Sequence, residues 1–443
     1  MGRRQKRNVH KNENGKYIWG IIASIAVIIA SFAIAIWVFL DGQNAQSQAD
    51  QAADAQSSDS QSDGDRSGKS SDGDNSGDSE EQTGGAQTDA QIEEIISSMT
   101  LEEKVCQLFM ITPEALTGVG TATQAGDATR DALSEYPVGG VIYFAKNLQT
   151  PEQTQTMLAN TQRYAEERTG FPIFLSVDEE GGQVARVGSN PSFKVEQIGN
   201  MSDVGSRGDT QEAYDIGNTI GSYLSDLGFN MDAAPDTDVL TNPENEVVRY
   251  RSFGSDPQLV ADMARAELSG LNDQGIIGMY KHFPGHGGTA ADSHAGYAYV
   301  DDTLEELRSG AFVPFQDGID NGVRVIMVSH ISCPNVTGDD TPATLSERMI
   351  TDILREEMGF EGMVITDALD MGAVTAQYSS DQAAVAALQA GADMLLMPED
   401  FHSAYQGVLR AVENGTVKEE RIDESVRRIL NIKLTINTQG AIS

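Results

Sequence analysis

The run Gly275-Ile-Ile-Gly-Met-Tyr280, followed at once by Lys281-His-Phe-Pro-Gly-His-Gly-Gly-Thr-Ala-Ala-Asp-Ser-His294, decides how this chain is read. A short apolar run that begins at a glycine predicts a strand covered on both faces. It empties into a stretch holding three histidines, a lysine and an aspartate. Pro284 and Gly285 make that stretch a loop. An apolar strand ending in a polar loop is the unit of a parallel barrel, whose chemistry sits just past the C-terminal ends of its strands.

Outward from this stretch the same unit recurs. Further strands are predicted at Gln107 to Ile111, Gly140 to Ala145, Pro172 to Val177, Phe229 to Ala233, Arg324 to Ser329, Gly362 to Thr366 and Asp393 to Met397, with the fifth at Ile276 to Lys281. Amphipathic helices fall between them. Ser346 caps one over Glu347 to Met358, with Gly359 beyond, and Gly391 ends another over Asp381 to Ala390. Eight such units predict a single (β/α)8 TIM-type barrel. An open doubly wound sheet would call for a Gly-x-Gly-x-x-Gly turn after an early strand, and none occurs.

The barrel is predicted over 89–443. Ile92, Ile95, Ile96, Met99 and Leu101 recur at helical spacing, and Thr100 with Glu103 forms a capping box for the next helix. Upstream the composition changes twice. Residues 1–16 are basic, and 17–40 carry no charge over a length that matches the ~20 apolar residues of a membrane helix, with Trp19 and Trp37 near its ends. A cleaved signal peptide is the alternative, but its apolar region is usually shorter, ~7 to 15 residues. The basic flank places the N-terminus in the cytoplasm and the rest outside, as a single-pass membrane protein. Residues 41–88 are Gln, Ser, Asp, Gly and Ala with almost no large apolar side chain, a disordered acidic linker.

A net charge of −37 argues against nucleic-acid binding, which needs clustered Lys and Arg. Cys106 and Cys333, each inside an apolar segment, are expected as buried thiols.

Polar residues at the strand ends are Asp178, Asp236 with Asp238, Lys281 with His282, His330 and Asp367. Each alone is equally a cap or turn former. The pair His282-x-x-x-His286 suggests a zinc site only on a helix, which Pro284 and Gly285 oppose. Asp292, Ser293 and His294 are sequence neighbours, an arrangement that rarely makes a nucleophilic triad. The reading that uses most of these residues is an ionised Asp367 as nucleophile with His294, oriented by Asp292, moving protons near neutral pH.

Tyr280-Lys-His-Phe-Pro-Gly-His-Gly287, Asp292-Ser-His294, Val364-Ile-Thr-Asp367-Ala-Leu-Asp-Met371, Val177-Asp-Glu-Glu-Gly-Gly-Gln-Val-Ala-Arg186 and Arg251-Ser-Phe-Gly254 together resemble family 3 glycoside hydrolases, in their β-N-acetylglucosaminidase branch. The resemblance spans about Ile95 to Lys433. It implies a retaining mechanism through a covalent glycosyl-enzyme, with Asp367 as nucleophile and His294 with Asp292 as acid/base. It also implies sugar binding by Asp178, Arg186, Arg251, Lys281 and His282, with no metal or other cofactor. The glycines from Gly285 to Gly288 are expected to let His294 swing toward the cleaved bond. Ala298-Tyr299 and Asn245-Glu246 depart from the pattern, in loop positions.

The expected activity is therefore that of an exo-β-N-acetylhexosaminidase acting on terminal N-acetylglucosamine of cell-wall fragments or related glycans. A β-glucosidase or β-xylosidase specificity, phosphorolysis in place of hydrolysis, or a catalytically silent wall-binding protein are the alternatives.

Overall fold

The computed structural model describes residues 78–289 and 298–436, which lie in the compact unit Ser76–Ser443. Residues 17–40, read above as a membrane helix, and Asp292 and His294 lie outside the described residues. Among the described residues no helix is long and apolar enough to cross a membrane. Helical backbone runs over Asp78–Ser98, beginning inside the stretch read as linker. Its buried anchors are Ile92 and Ile96, and a helix once anchored extends at little further cost.

Eight parallel strands alternate with helices, each strand at a predicted position. They are β1 (Phe109–Ile111), β2 (Gly140–Ile142), β3 (Phe174–Val177), β4 (Met231–Asp232), β5 in two pieces (Ile277–Gly278 and Tyr280–Phe283), β6 (Val325–Val328), β7 (Met363–Thr366) and β8 (Leu395–Leu396). Neighbours in sequence are neighbours in space. The pairs run Met110 with Gly140, Gly140 with Phe174, Ser176 with Met231 and Met231 with Ile277. They continue through Ile326 with Tyr280 and Val325 with Met363. An isolated bridge of Ile365 with Met394 joins β7 to β8, and Phe109 with Leu395 closes the ring. This is the (β/α)8 barrel that the spacing predicts.

Successive strand residues point to opposite faces, and the two hydrophobic clusters separate accordingly. Val325, Met327, Met363, Ile365 and Leu396 join the interior cluster with Met110, Ile142, Phe174, Met231, Ile277, Met279 and Met394. Their neighbours Ile326, Val328, Val364 and Leu395 pack outward against the helices. Six methionines in the interior fill an irregular space that stiffer side chains would leave partly empty.

Local signals behave as their chemistry requires. Thr100 accepts from the Glu103 amide at 3.3 Å while Glu103 reaches back to the Thr100 amide at 2.9 Å. Gly391 ends the helix Ser380–Ala390 at φ +116°, a left-handed cap that favours glycine. The helix predicted over Glu347 to Met358 forms at Arg348–Glu357 but is wound wider, as a π-helix. Cys106 and Cys333 are both free and buried.

At the N-terminal end of the barrel, the helix Glu419–Lys433 supplies Ile429 and Ile432 to the interior cluster. Asp393, fully buried just before β8, is held there by Arg355, Arg421 and Arg428, by Ser425 at 2.9 Å and by the Val364 amide at 2.9 Å. Lys433 closes the same end with its Nζ 2.7 Å from Gln107 Oε1.

Candidate active site

The opposite end of the barrel gathers the polar residues. Between β5 and β6 the register slips, so that Ile326 to Val328 faces Tyr280 to Phe283. That extra residue is a bulge, and it breaks the usual alternation. Tyr280 and Phe283 both face the outer core, and Lys281 and His282 between them both enter the polar cluster.

Glu180 is the centre of that cluster. Its carboxylate takes Lys281 Nζ at 2.5 Å and Arg251 in a two-point grip, Nε at 2.7 Å and Nη2 at 2.8 Å. Lys281 also meets Asp178 at 3.2 Å, and Asp178 meets Arg186 Nη2 at 3.4 Å. Arg251 reaches Asp236 at 3.3 Å and His282 Nε2 at 3.3 Å. Asp178, Arg186, Arg251, Lys281 and His282, drawn from loops and strands far apart in sequence, thus form one connected network.

The electrostatics follow from burial and these pairings. Burial alone would raise the Glu180 carboxyl, but Arg251 and Lys281 outweigh it and hold it far below the usual carboxylate range. Burial works against the charge on Lys281 as well, and Glu180 with Asp178 more than restores it. Asp236 has no such surplus of cations. Burial and the adjacent Asp238 push it up to about 8, so it is largely protonated at neutral pH. Burial, then Arg251, pushes His282 down to about 4, leaving a neutral imidazole.

Asp367 follows β7 and is half-buried. Its amide donates to Val328 O at 2.8 Å, and its Oδ1 accepts the Ala368 amide at 2.8 Å. Its charge is felt at His282, which ties it to the same cluster. His330 acts as a strut beside it, with Nε2 donating to the Ala368 carbonyl at 2.8 Å. Asp236, Asp238 and His282 bring three possible metal-ligating atoms within 4.8 Å of one another. The Arg251 guanidinium already places a positive charge against two of those three residues.

The turn after β5 differs from expectation. Rather than loosening the loop, its glycines allow close packing. A Cβ on Gly287 would lie 1.9 Å from Val239 O, and one on Gly285, at φ +126°, would lie 2.6 Å from Ala311 Cβ. Asn245 Nδ2 donates to His286 O at 2.8 Å, and the Asn242 amide to Gly287 O at 3.0 Å. The turn is therefore pinned as far as Thr289, which is fully buried.

Reading strand ends did not single out Glu180, the central residue. Its signal was the two-residue period, since Glu180 lies two positions past Asp178 and so returns to the same face. Glu179 turns the other way, accepting the Val187 and Gly188 amides at 2.7 Å each and the Tyr223 hydroxyl at 2.9 Å.

Comparison with known proteins finds relatives of this chain. β-Hexosaminidase A of Pseudoalteromonas piscicida is 32% identical over 336 residues, 70% of this chain and 56% of that protein. The β-hexosaminidase of Nitrosomonas eutropha is 34% identical over 284 residues, 64% of this chain and 80% of that protein. A solved glycoside hydrolase family 3 β-N-acetylglucosaminidase from Paenibacillus sp. superposes with a TM-score of 0.71 at 38% identity, over 76% of this chain and 63% of that one. The chain thus spans less than two thirds of the first and third of these. The profile of the glycosyl hydrolase family 3 N-terminal domain matches residues 100–432, and with that match the barrel and its polar upper end are those of a member of glycosyl hydrolase family 3.

Proposed function

We propose that this chain is a retaining exo-β-N-acetylhexosaminidase that removes terminal β-linked N-acetylglucosamine. The observation that carries the reading is the network centred on Glu180, which presents charged donors and carboxylate acceptors beside the Asp367 carboxylate. Sugar hydroxyls need such paired donors and acceptors. Asp178, Arg186, Arg251, Lys281 and His282 hold the terminal sugar.

Asp367 then attacks the anomeric carbon, forming a bond to the sugar as the glycosidic C–O bond breaks. His294, oriented by Asp292, gives its proton to the departing oxygen. In the second step His294 takes a proton from water, whose oxygen displaces Asp367 and restores the original configuration. The substrates are cell-wall fragments or related glycans, and 17–40 anchors the chain in the membrane with the barrel outside.

A panel of aryl β-glycosides tests this reading. N-acetylglucosaminide should be cleaved well ahead of glucoside and xyloside, releasing free sugar of retained configuration by NMR. Preference for glucoside, inverted product, or sugar phosphate formed in phosphate buffer would contradict it. Binding without cleavage would leave a silent wall-binding protein.

A further inference from the structure

We propose that Asp238 is the positioning residue of this site, one carboxylate that sets the tautomer of His282 and fixes the turn from His282 to His286. The inference rests on the reading above for its catalytic meaning, but its structural part stands alone. Asp238 is fully buried. Its Oδ2 lies 2.7 Å from His282 Nδ1. Its Oδ1 accepts the His286 amide, and the His282 amide at 3.4 Å. One side chain thus grips both ends of the turn from His282 to His286.

The tautomer follows from donor and acceptor chemistry. A guanidinium only donates, and Arg251 Nη2 lies 3.3 Å from His282 Nε2. Nε2 of the neutral ring must therefore be the acceptor, which leaves the proton on Nδ1, aimed at Asp238. His282 accordingly keeps its one lone pair on Nε2, against Arg251, and a sugar hydroxyl can donate to it only by taking the place of that guanidinium. Asp236 supports the arrangement: its Oδ1 accepts the Asp238 amide at 2.9 Å.

Asp238→Asn cannot satisfy the same partners, because one acceptor oxygen becomes a donor. Either the His286 amide loses its acceptor, or an NH2 faces His282 Nδ1 and the ring must move its proton to Nε2, against the Arg251 donor. The test is nitrogen NMR of the imidazoles in the purified full chain, which has six histidines, with His282→Gln to assign the signal. The wild type should show a neutral His282 protonated at Nδ1. Asp238→Asn should lose that signature, and its kcat/KM on aryl N-acetylglucosaminide should fall by about 10- to 100-fold, the range typical of lost supporting contacts.

A wild-type His282 protonated at Nε2, or at both nitrogens at neutral pH, overturns the inference even if the variant does not fold. So do an unchanged His282 signal and unchanged kinetics in the variant. If the chain cleaves no glycoside but His282 carries the Nδ1 proton, only the functional reading fails. If it hydrolyses normally and the tautomer is wrong, only this inference fails.

Discussion

The two ends of the barrel are each organised around a buried carboxylate, in opposite balance. At the upper end Glu180 joins Lys281 and Arg251, and Asp178 and Asp236 stand by as second partners at 3.2 and 3.3 Å. Carboxylates are in surplus there. At the lower end the single carboxylate of Asp393 serves Arg355, Arg421 and Arg428. Two of these arginines are also tied to backbone: Arg355 donates to Gly391, Phe360 and Gly362 carbonyls, and Arg421 to Ala392 at 2.7 Å, with Ser425 Oγ taking a further Arg421 donor at 2.7 Å. A cluster with spare partners can exchange one for a substrate hydroxyl. One tied to the backbone can only hold the fold.

The comparison breaks first at the lower end if it is wrong. Asp393→Asn removes the common partner of three part-buried cations, a loss that typically costs about 3 to 5 kcal/mol. Denaturant unfolding should show a drop of that order, while kcat/KM per folded molecule stays near wild type. A stable variant, or a folded but inactive one, would erase the distinction between the ends.

Glu180→Gln is the matching change above. Spare carboxylates cushion the fold, so stability should fall by less than in Asp393→Asn. The sugar clamp loses its alignment, and kcat/KM should fall by about 100-fold, equivalent to about 2.7 kcal/mol. Steady-state kinetics beside unfolding curves for both variants would show whether the two losses cross over in this way. Equal loss of stability in both would contradict it.

The smallest effect is a slope. Asp236 has an ordinary value near 3.8, raised to about 8 by burial and then Asp238. The native state therefore keeps a proton that the unfolded chain has lost between those values. Its contribution to stability is complete below about pH 4 and is lost as pH rises through about 8. Asp236→Asn has no proton to lose. Melting temperatures of both proteins across this window should show the wild type losing ground to the variant as pH rises, and a constant gap would rule out a protonated Asp236.

Much of the barrel was legible because each strand is a short apolar run with a polar loop behind it. The strand ends were less so. Phe229 to Ala233 shortened to Met231–Asp232, since pairing with both neighbours, not apolarity, sets the length of a strand. Asp178, Lys281 and His282 were legible as polar residues at strand ends, whereas Arg186 and Arg251 were indicated only by the family resemblance. Glu180 was not legible, because reading strand ends stopped at Asp178, the first of three acidic residues in a row, and did not carry the two-residue period on to Glu180. The glycines after β5 were legible as glycines but not in purpose. The Val239 carbonyl that demands Gly287 is distant in sequence, and no local pattern announces it.

In the proposed mechanism Asp367 is the nucleophile, served by the upper network. A fluorinated N-acetylglucosaminyl donor with a very good leaving group, whose second step is slow, should accumulate the glycosyl-enzyme. Peptide mass spectrometry of the trapped protein should then place a single sugar on Asp367, and Asp367→Ala should carry none and turn over no substrate. A sugar on another residue, or turnover retained in Asp367→Ala, would contradict the account.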